Sequence, residues 1–274
     1  MKKSKQILVL IVLAISTCFT SLQAQGLYVN VNAGYGLQMS SQNIAYYTFY
    51  NQASGSGSIT REQINVSFGK GLNFGAGVGY MFNENIGAEL GVSYLLGGKS
   101  LAHDTYTGGY TDHTLFARFL RLNPSLVLSA GSGTISPYVK LGVLFGMGSI
   151  TYIYDDYDDG DITYYKEKLN GGISFGLTSG IGANFSLSDM LSLFGELNMV
   201  NMSYAPKKGE ITEFTNNGVN ILPDLTTKQK ETEFLKEYTT SASNPIPDSQ
   251  PSQTLRQKMP FGSIGLNIGV KVNL

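Results

Sequence analysis

The sequence predicts an all-β chain: an eight-stranded antiparallel up-and-down transmembrane β-barrel, with four long extracellular loops and short periplasmic turns. Three observations predict it. Eight segments alternate between apolar residues and small or polar ones, as a strand with two unlike faces does. The links between these segments alternate short and long. The charged residues within the segments all fall on the polar parity.

Composition sets the frame. The chain has 274 residues, 33 of them Gly, with 17 Tyr, 14 Phe and no Trp. Lys plus Arg number 19 and Asp plus Glu 20, a net charge of -1, so nothing marks nucleic acid as a partner. Beyond the N-terminus no apolar run reaches the length of a membrane helix. Lys2, Lys3 and Lys5 precede an apolar stretch, Ile7 to Phe19, and Leu22-Gln23-Ala24 supplies a small-residue cleavage site. Residues 1–24 therefore read as a signal peptide and 25–274 as the barrel domain. An uncleaved anchor and a lipoprotein attached through Cys18 are the alternatives. Cys18 is the only cysteine, so a mature chain offers no disulfide, thiolate metal site or cysteine nucleophile.

The strands follow in order. The first sets Leu27, Val29, Val31, Ala33, Tyr35 and Leu37 against Tyr28, Asn30, Asn32, Gly34 and Gly36. The second sets Leu72, Phe74, Ala76, Val78, Tyr80 and Phe82 against Asn73 and a run of Gly; the third opposes Ile86, Ala88, Leu90, Val92 and Tyr94 to Gly87, Glu89, Gly91 and Ser93. The fourth places Leu120, Leu122, Leu126 and Leu128 opposite Arg121, Asn123, Ser125 and Ser129, with Pro124 on the apolar side, where a bulge is expected. The fifth opposes Val139, Leu141, Val143 and Phe145 to Tyr138, Lys140, Gly142 and Gly146. The sixth runs from Ile173 to Phe185. The seventh opposes Leu191, Leu193, Leu197 and Met199 to Ser192, Glu196 and Asn198, and Phe194 and Val200 break its pattern. The eighth, Phe261 to Leu274, sets Ile264, Leu266, Ile268, Val270, Val272 and Leu274 against Gly265, Asn267, Gly269, Lys271 and Asn273.

Short links run Asn83–Asn85, Gly131–Thr134 and Ser186–Met190; long ones run Gln38–Ile64, Gly97–Thr114, Asp155–Asn170 and Ala205–Met259. Periodicity does not say which face is inside, and a soluble sandwich or lipocalin-like barrel has the same alternation. The second face decides. As an outer wall in water, a surface of Gly, Asn and Ser with few charges is poor for solubility. As the lining of a narrow lumen it fits, because small residues leave room for a few large ones. Glu89, Arg121, Lys140, Glu196 and Lys271 then face inward as a charged lumen network of mixed sign. Tyr35, Tyr80, Phe82, Tyr94, Phe145, Phe175 and Phe185 fit interfacial girdles.

The signal, the eight amphipathic strands and stretches such as Gly75-Ala76-Gly77-Val78-Gly79-Tyr80 and Gly265-Leu266-Asn267-Ile268-Gly269-Val270-Lys271 resemble the small Gram-negative outer-membrane β-barrels, the OmpX- and OmpW-like "porin family" proteins. The resemblance spans the mature chain and is architectural. It implies a cell outer-membrane location, outer-membrane lipids and lipopolysaccharide as neighbours, and the assembly machinery as a partner during insertion. A monomer is expected.

Chemistry is sparse. The lumen charges serve as an ion-pair plug or as the lining of a conduit. The run Asp155-Asp156-Tyr157-Asp158-Asp159-Gly160-Asp161 lacks calcium-hand spacing and reads as a solvated charge run. His103 and His113, with Asp104 and Asp112, raise a lipid A-modifying enzyme as a remote reading; loop histidines are the simpler one. Tyr46, Tyr47, Phe49 and Tyr50 form an aromatic cluster suited to a ligand or to lipid headgroups. Leu225 to Tyr238 is expected to hold a short helix, with Thr226 and Gln229 at capping-box spacing, and Thr239 to Gln253 to be flexible. The resulting expectation is a non-enzymatic barrel with no cofactor and no metal, anchoring surface loops in an envelope-structural or surface-interaction role. The alternative is a narrow porin-like conduit for ions or small solutes, hydrophobic ones included.

Overall fold

The computed structural model describes residues 26–44, 49–55, 58–131, 133–239, 243 and 245–274. The expected signal peptide, 1–24, and Tyr46 and Tyr47 of the aromatic cluster lie outside the described residues.

The strands are β1 (Leu27–Gln38), β2 (Tyr50–Gly55), β3 (Ser58–Gln63), β4 (Gly71–Met81), β5 (Ile86–Gly97), β6 (Ser100–Tyr106), β7 (Gly109–Ser129) and β8 (Ile135–Asp158). They continue as β9 (Asp161–Asn170), β10 (Ser174–Ser186), β11 (Leu191–Tyr204), β12 (Lys208–Asn216), β13 (Val219–Asn220), β14 (Glu231–Leu235), β15 (Ser252–Leu255), β16 (Met259–Pro260) and β17 (Ser263–Asn273). A four-residue helix, α1 (Thr227–Lys230), precedes β14. All seventeen strands belong to one sheet, so the strand inventory exceeds the eight expected.

The long strands pair antiparallel in the sequence β1–β4–β5–β7–β8–β10–β11–β17, and β17 returns to β1. The sheet therefore closes on itself and leaves these strands no free edge. Closure runs over eleven register pairs, from Tyr28↔Asn273 to Gln38↔Ser263.

The burial of this wall is the reverse of a soluble barrel's. Val31, Leu72, Phe74, Val78, Leu90, Leu141, Leu177, Leu197, Leu266 and Ile268 are all exposed, Ile268 to 65%. Their polar neighbours Asn30, Asn73, Ser125, Ser192, Ser263 and Asn267 are buried. The apolar parity faces outward. Tyr35, Phe82, Tyr94, Phe145, Phe175 and Phe185 stand on that outer wall.

Glycine on the inner parity makes room for large inward rings. A Cβ at Gly182 would lie 2.7 Å from the Tyr138 ring, and one at Gly269 2.5 Å from the Phe194 ring. Gly79 faces the Tyr28 ring in the same way. Phe194 and Val200 broke the expected pattern of their strand because they point inward, at 6% and 4% exposure. Pro124 causes no bulge. The β7–β8 register is the same on either side of it, Leu122↔Phe145 and Ser125↔Gly142, and Leu90↔Pro124 keeps the β5–β7 register. Its missing N–H is tolerated at a gap in the ladder toward β8.

Three of the expected long loops are largely strand. β6 and β7 form a hairpin from Tyr106↔Gly109 onward, and β8 and β9 form another whose last pair is Asp158↔Asp161. Asp159 and Gly160 carry φ of 45° and 100°, and Asn217 and Gly218 φ of 49° and 76°. These Asp-Gly and Asn-Gly pairs adopt the left-handed backbone that tight hairpins require. β2 and β3 pair within the first long link. In the last link, α1 is shorter than the expected helix: Thr226 and Gln229 do form the capping box, but strand β14 follows at once. Ser252 and Gln253, expected in a flexible stretch, pair with Thr232 and Glu233 as β15 beside β14.

An arginine introduced at Ile268 is expected to lower folding stability in bilayers by about 2–4 kcal/mol, as on a lipid-facing midplane position. Arginine at Leu101, exposed on β6 outside the closed ring, is expected to change it little. Denaturant titration into lipid vesicles measures both; equal costs would count against the outward assignment.

Candidate functional site

The interior has two layers. Toward the short links it is polar. Lys140 Nζ lies 3.0 Å from Glu89 Oε1 and 3.4 Å from Glu196 Oε2, so one ammonium bridges two carboxylates. Tyr28 Oη and Asn30 Nδ2 donate to Glu89 Oε2 at 2.9 and 3.0 Å. Tyr138 Oη donates to Glu196 Oε2 at 3.1 Å, and Asn267 Nδ2 to Glu196 Oε1 at 3.5 Å. The carboxylates thus gain donors besides Lys140, which offsets part of their desolvation.

The five charges expected in the lumen do not form one network. Glu89, Lys140 and Glu196 make the bridge. Arg121 is buried apart from it and donates to Asn73 Oδ1. Lys271 sits with its ammonium 3.9 Å from the centre of the Tyr28 ring, a cation–π contact. A cavity of about 80 Å³ separates Arg121 from the bridge, lined also by Asn30, Asn73, Asn123 and Asn198. Below it, between Tyr28, Tyr138, Phe194 and Lys271, the free space falls to about 20 Å³. That is near the minimum for a single water.

Above the polar layer the interior is apolar, a feature the sequence did not suggest. Leu95, Phe119, Leu144, Val200, Met202 and Tyr204 face inward from the wall. Ile44, between β1 and β2, Val66 and Phe68, between β3 and β4, and Met259 and Phe261, just ahead of β17, meet them. Phe119 packs against Tyr204 and Phe261 at ring separations of 4.8 and 4.7 Å. Phe68 N donates to Pro260 O at 2.9 Å and Ser67 Oγ to Gly262 O at 2.6 Å, so the two returning segments are tied to each other inside the barrel. The single proton of Tyr204 Oη is shared between Gly171 O at 2.9 Å and Gly148 O at 3.1 Å, so its hydroxyl is satisfied in this core.

His113 lies at the outer margin of this core. Its Nδ1 is 2.7 Å from Tyr152 Oη and its Nε2 3.3 Å from Asp104 Oδ2. Both ring nitrogens are engaged, and among the described residues neither is hydrogen-bonded to a serine or threonine hydroxyl. His103 is exposed and bonds Asp112 Oδ1 at 2.7 Å. Phe49, expected among surface aromatics, is instead buried against His113 at 1% exposure, and Tyr50 carries the Arg61 guanidinium over its ring at 5.6 Å. The acidic run caps the β8–β9 hairpin, where alternation sends its carboxylates to opposite faces. Asp156 accepts from Tyr106 Oη at 2.9 Å and from Thr111 Oγ1 at 2.5 Å. Burial, and then the bond to Asp156, pushes the Tyr106 hydroxyl up to about 12, so it remains a donor. Among the described residues no three His, Cys, Asp or Glu side chains are placed to share a metal ion.

A closed wall with an exposed apolar outer face and a polar-to-apolar filled interior defines a membrane β-barrel. The chain belongs to the outer membrane protein β-barrel domain family, which matches residues 9–221, and its location is accordingly the outer membrane. That match ends before β14 to β17, so the closing strand is assigned by its pairing alone. Among solved structures the chain is similar to Neisserial surface protein A, at 12% identity over 91% of this chain and 97% of that one, with a TM-score of 0.37. It is also similar to OmpT of Vibrio cholerae, in its trimer form, at 7% identity over 90% and 98% of the two chains, with a TM-score of 0.10. No curated protein matches the chain.

Replacing Lys140 with Met is expected to cost about 3–5 kcal/mol, because two buried carboxylates lose their shared cation. The Lys140→Met, Glu89→Gln, Glu196→Gln triple variant is expected to recover most of that loss. Urea unfolding of the barrel in micelles measures both; a mild Lys140→Met would mean that the bridge is solvated.

Proposed function

We propose that the chain is a sealed, monomeric, non-enzymatic outer-membrane barrel whose eight ring strands cross the bilayer and hold four hairpin-built segments outside the cell. On this reading residues 1–24 are a cleaved signal peptide and 25–274 the mature barrel. The assembly machinery inserts it, and outer-membrane lipids and lipopolysaccharide surround it. The role is envelope-structural or one of surface interaction.

The observation that carries the sealed reading is the double closure of the lumen. The Glu89–Lys140–Glu196 bridge spans it beside a space of about 20 Å³, and the Phe119–Tyr204–Phe261 core fills it above. An ion crossing here would have to shed its hydration in an apolar layer. The conduit alternative has the cavity of about 80 Å³ in its favour, since it is polar and large enough for several waters. The enzyme alternative is disfavoured by His113, whose two nitrogens bond Tyr152 and Asp104 and, among the described residues, no serine or threonine hydroxyl.

Two measurements test this. In planar bilayers the protein is expected to show no open steps, while Phe119→Gly combined with Phe261→Gly is expected to raise leak currents; steady conductance by the wild type would favour the conduit. Lipid A recovered from cells making the protein is expected to keep all its acyl chains, and deacylation lost in His113→Ala would overturn the non-enzymatic assignment.

A further inference from the structure

The cations near the outer wall gather at one of its two ends, where acids are also present. The three short links, Asn83–Asn85, Gly131–Thr134 and Ser186–Met190, contain Glu84 and Asp189 but no Lys or Arg. At the opposite end, cations stand where the apolar face stops. Lys70 directly precedes β4, Lys99 follows β5, and Lys207 follows β11. On β7 the outward series Leu126, Leu122, Leu120 is interrupted by Arg118, which is exposed, ahead of Phe116. Its register partners are Leu96 on β5 and Ser149 on β8. Two residues on, Thr151 pairs with Lys168 of β9, also exposed.

Arg118 and Lys168 thus stand on either side of the half-buried Ser149, just beyond the exposed Leu120, Phe145 and Met147, with Thr151, the register partner of Lys168, buried beside them. Neither cation is in an ion pair with a carboxylate among the described residues. Lys166 is near enough for Arg118 to act on it electrostatically, but it is neutralised by Glu213 at 2.7 Å. The Lys166 hydrogen bond holds the Glu213 carboxyl below the usual carboxylate range, so that pair stays charged and closed. Glu210 lies opposite Lys168 in register and is exposed without pairing to it.

We propose that Arg118 and Lys168, with the Ser149 hydroxyl between them, bind a phosphate on the sugar headgroup of an outer-leaflet glycolipid whose acyl chains lie along Leu120, Phe145 and Met147. The inference rests on the proposed membrane orientation, with the hairpins outside. Its physical basis is that a fork of guanidinium donors and an ammonium meet phosphate with short charge-assisted bonds. The apolar wall directly beneath fixes the depth at which a lipid phosphate sits. The acidic, cation-free short-link end offers no such site, so the surface selects one leaflet.

The full-length barrel is refolded in micelles and offered diphosphoryl lipid A, dephosphorylated lipid A or phosphatidylglycerol, with retained lipid read by native mass spectrometry. Wild type is expected to retain diphosphoryl lipid A over both others. Arg118→Gln with Lys168→Gln is expected to lose retention about tenfold or more, while Lys258→Gln, at an exposed lysine directly before β16, keeps it. Equal retention by the double variant, or of the dephosphorylated lipid by wild type, would overturn the site; equal retention of phosphatidylglycerol would overturn the glycolipid assignment. Heat-modifiable gel mobility of each sample separates the two levels. A folded barrel without lipid selectivity defeats this inference alone, whereas a chain that never shows the mobility shift defeats the membrane-barrel reading beneath it.

Discussion

Closure of the hydrogen-bond ladder is the constraint on which the rest depends. In hydrocarbon an unpaired backbone N–H or C=O has no water to turn to, so a spanning sheet must leave no edge. The β1–β17 ladder meets that need with eleven consecutive register pairs joining the two ends of the ring. Once the sheet is closed, period-two alternation has one consequence everywhere: one parity meets lipid and the other fills the barrel. A slip of a single residue would exchange the two faces.

The interior then has to be filled by what the inner parity supplies. It does so in two chemically different ways. Low in the barrel, Lys140 serves two carboxylates at once, and Tyr28, Tyr138, Asn30 and Asn267 satisfy the remaining acceptors. Higher up, the wall turns Phe119, Leu144 and Val200 inward, and the segments ahead of β4 and β17 return to cover them. The same strands continue past the ring as the β6–β7 and β8–β9 hairpins, so the structure beyond the ring is an extension of the wall rather than a set of appended loops. Sheet and surface are coupled through β7 and β8, which are 21 and 24 residues long.

Much of this was legible in the sequence, and the failures have physical causes. The lipid-facing strands were readable because one parity is apolar throughout, as in Ile264 to Val272. The strands beyond the ring were not, because neither face of β6 or β9 is consistently apolar, and a search for lipid-facing alternation passes over them. The turn residues Asp159-Gly160 and Asn217-Gly218 were the available signal. The charged interior was readable as a set of inward charges but not as a three-member bridge with Arg121 and Lys271 apart, because partners across a barrel depend on stagger between strands. Val200, which broke parity on paper, was a trace of the apolar core it joins, whereas Phe194 faces the lumen lower down, beside Lys140.

The central claim is that the apolar parity of the closing strand meets lipid. Single cysteines from Ile264 to Val272, nitroxide-labelled and placed in bilayers, test it most directly through collision with oxygen, which favours lipid, and with a water-soluble nickel complex. The account predicts high oxygen accessibility at positions 264, 266, 268, 270 and 272, and low oxygen accessibility at the four between them. The opposite alternation, or none, would contradict it.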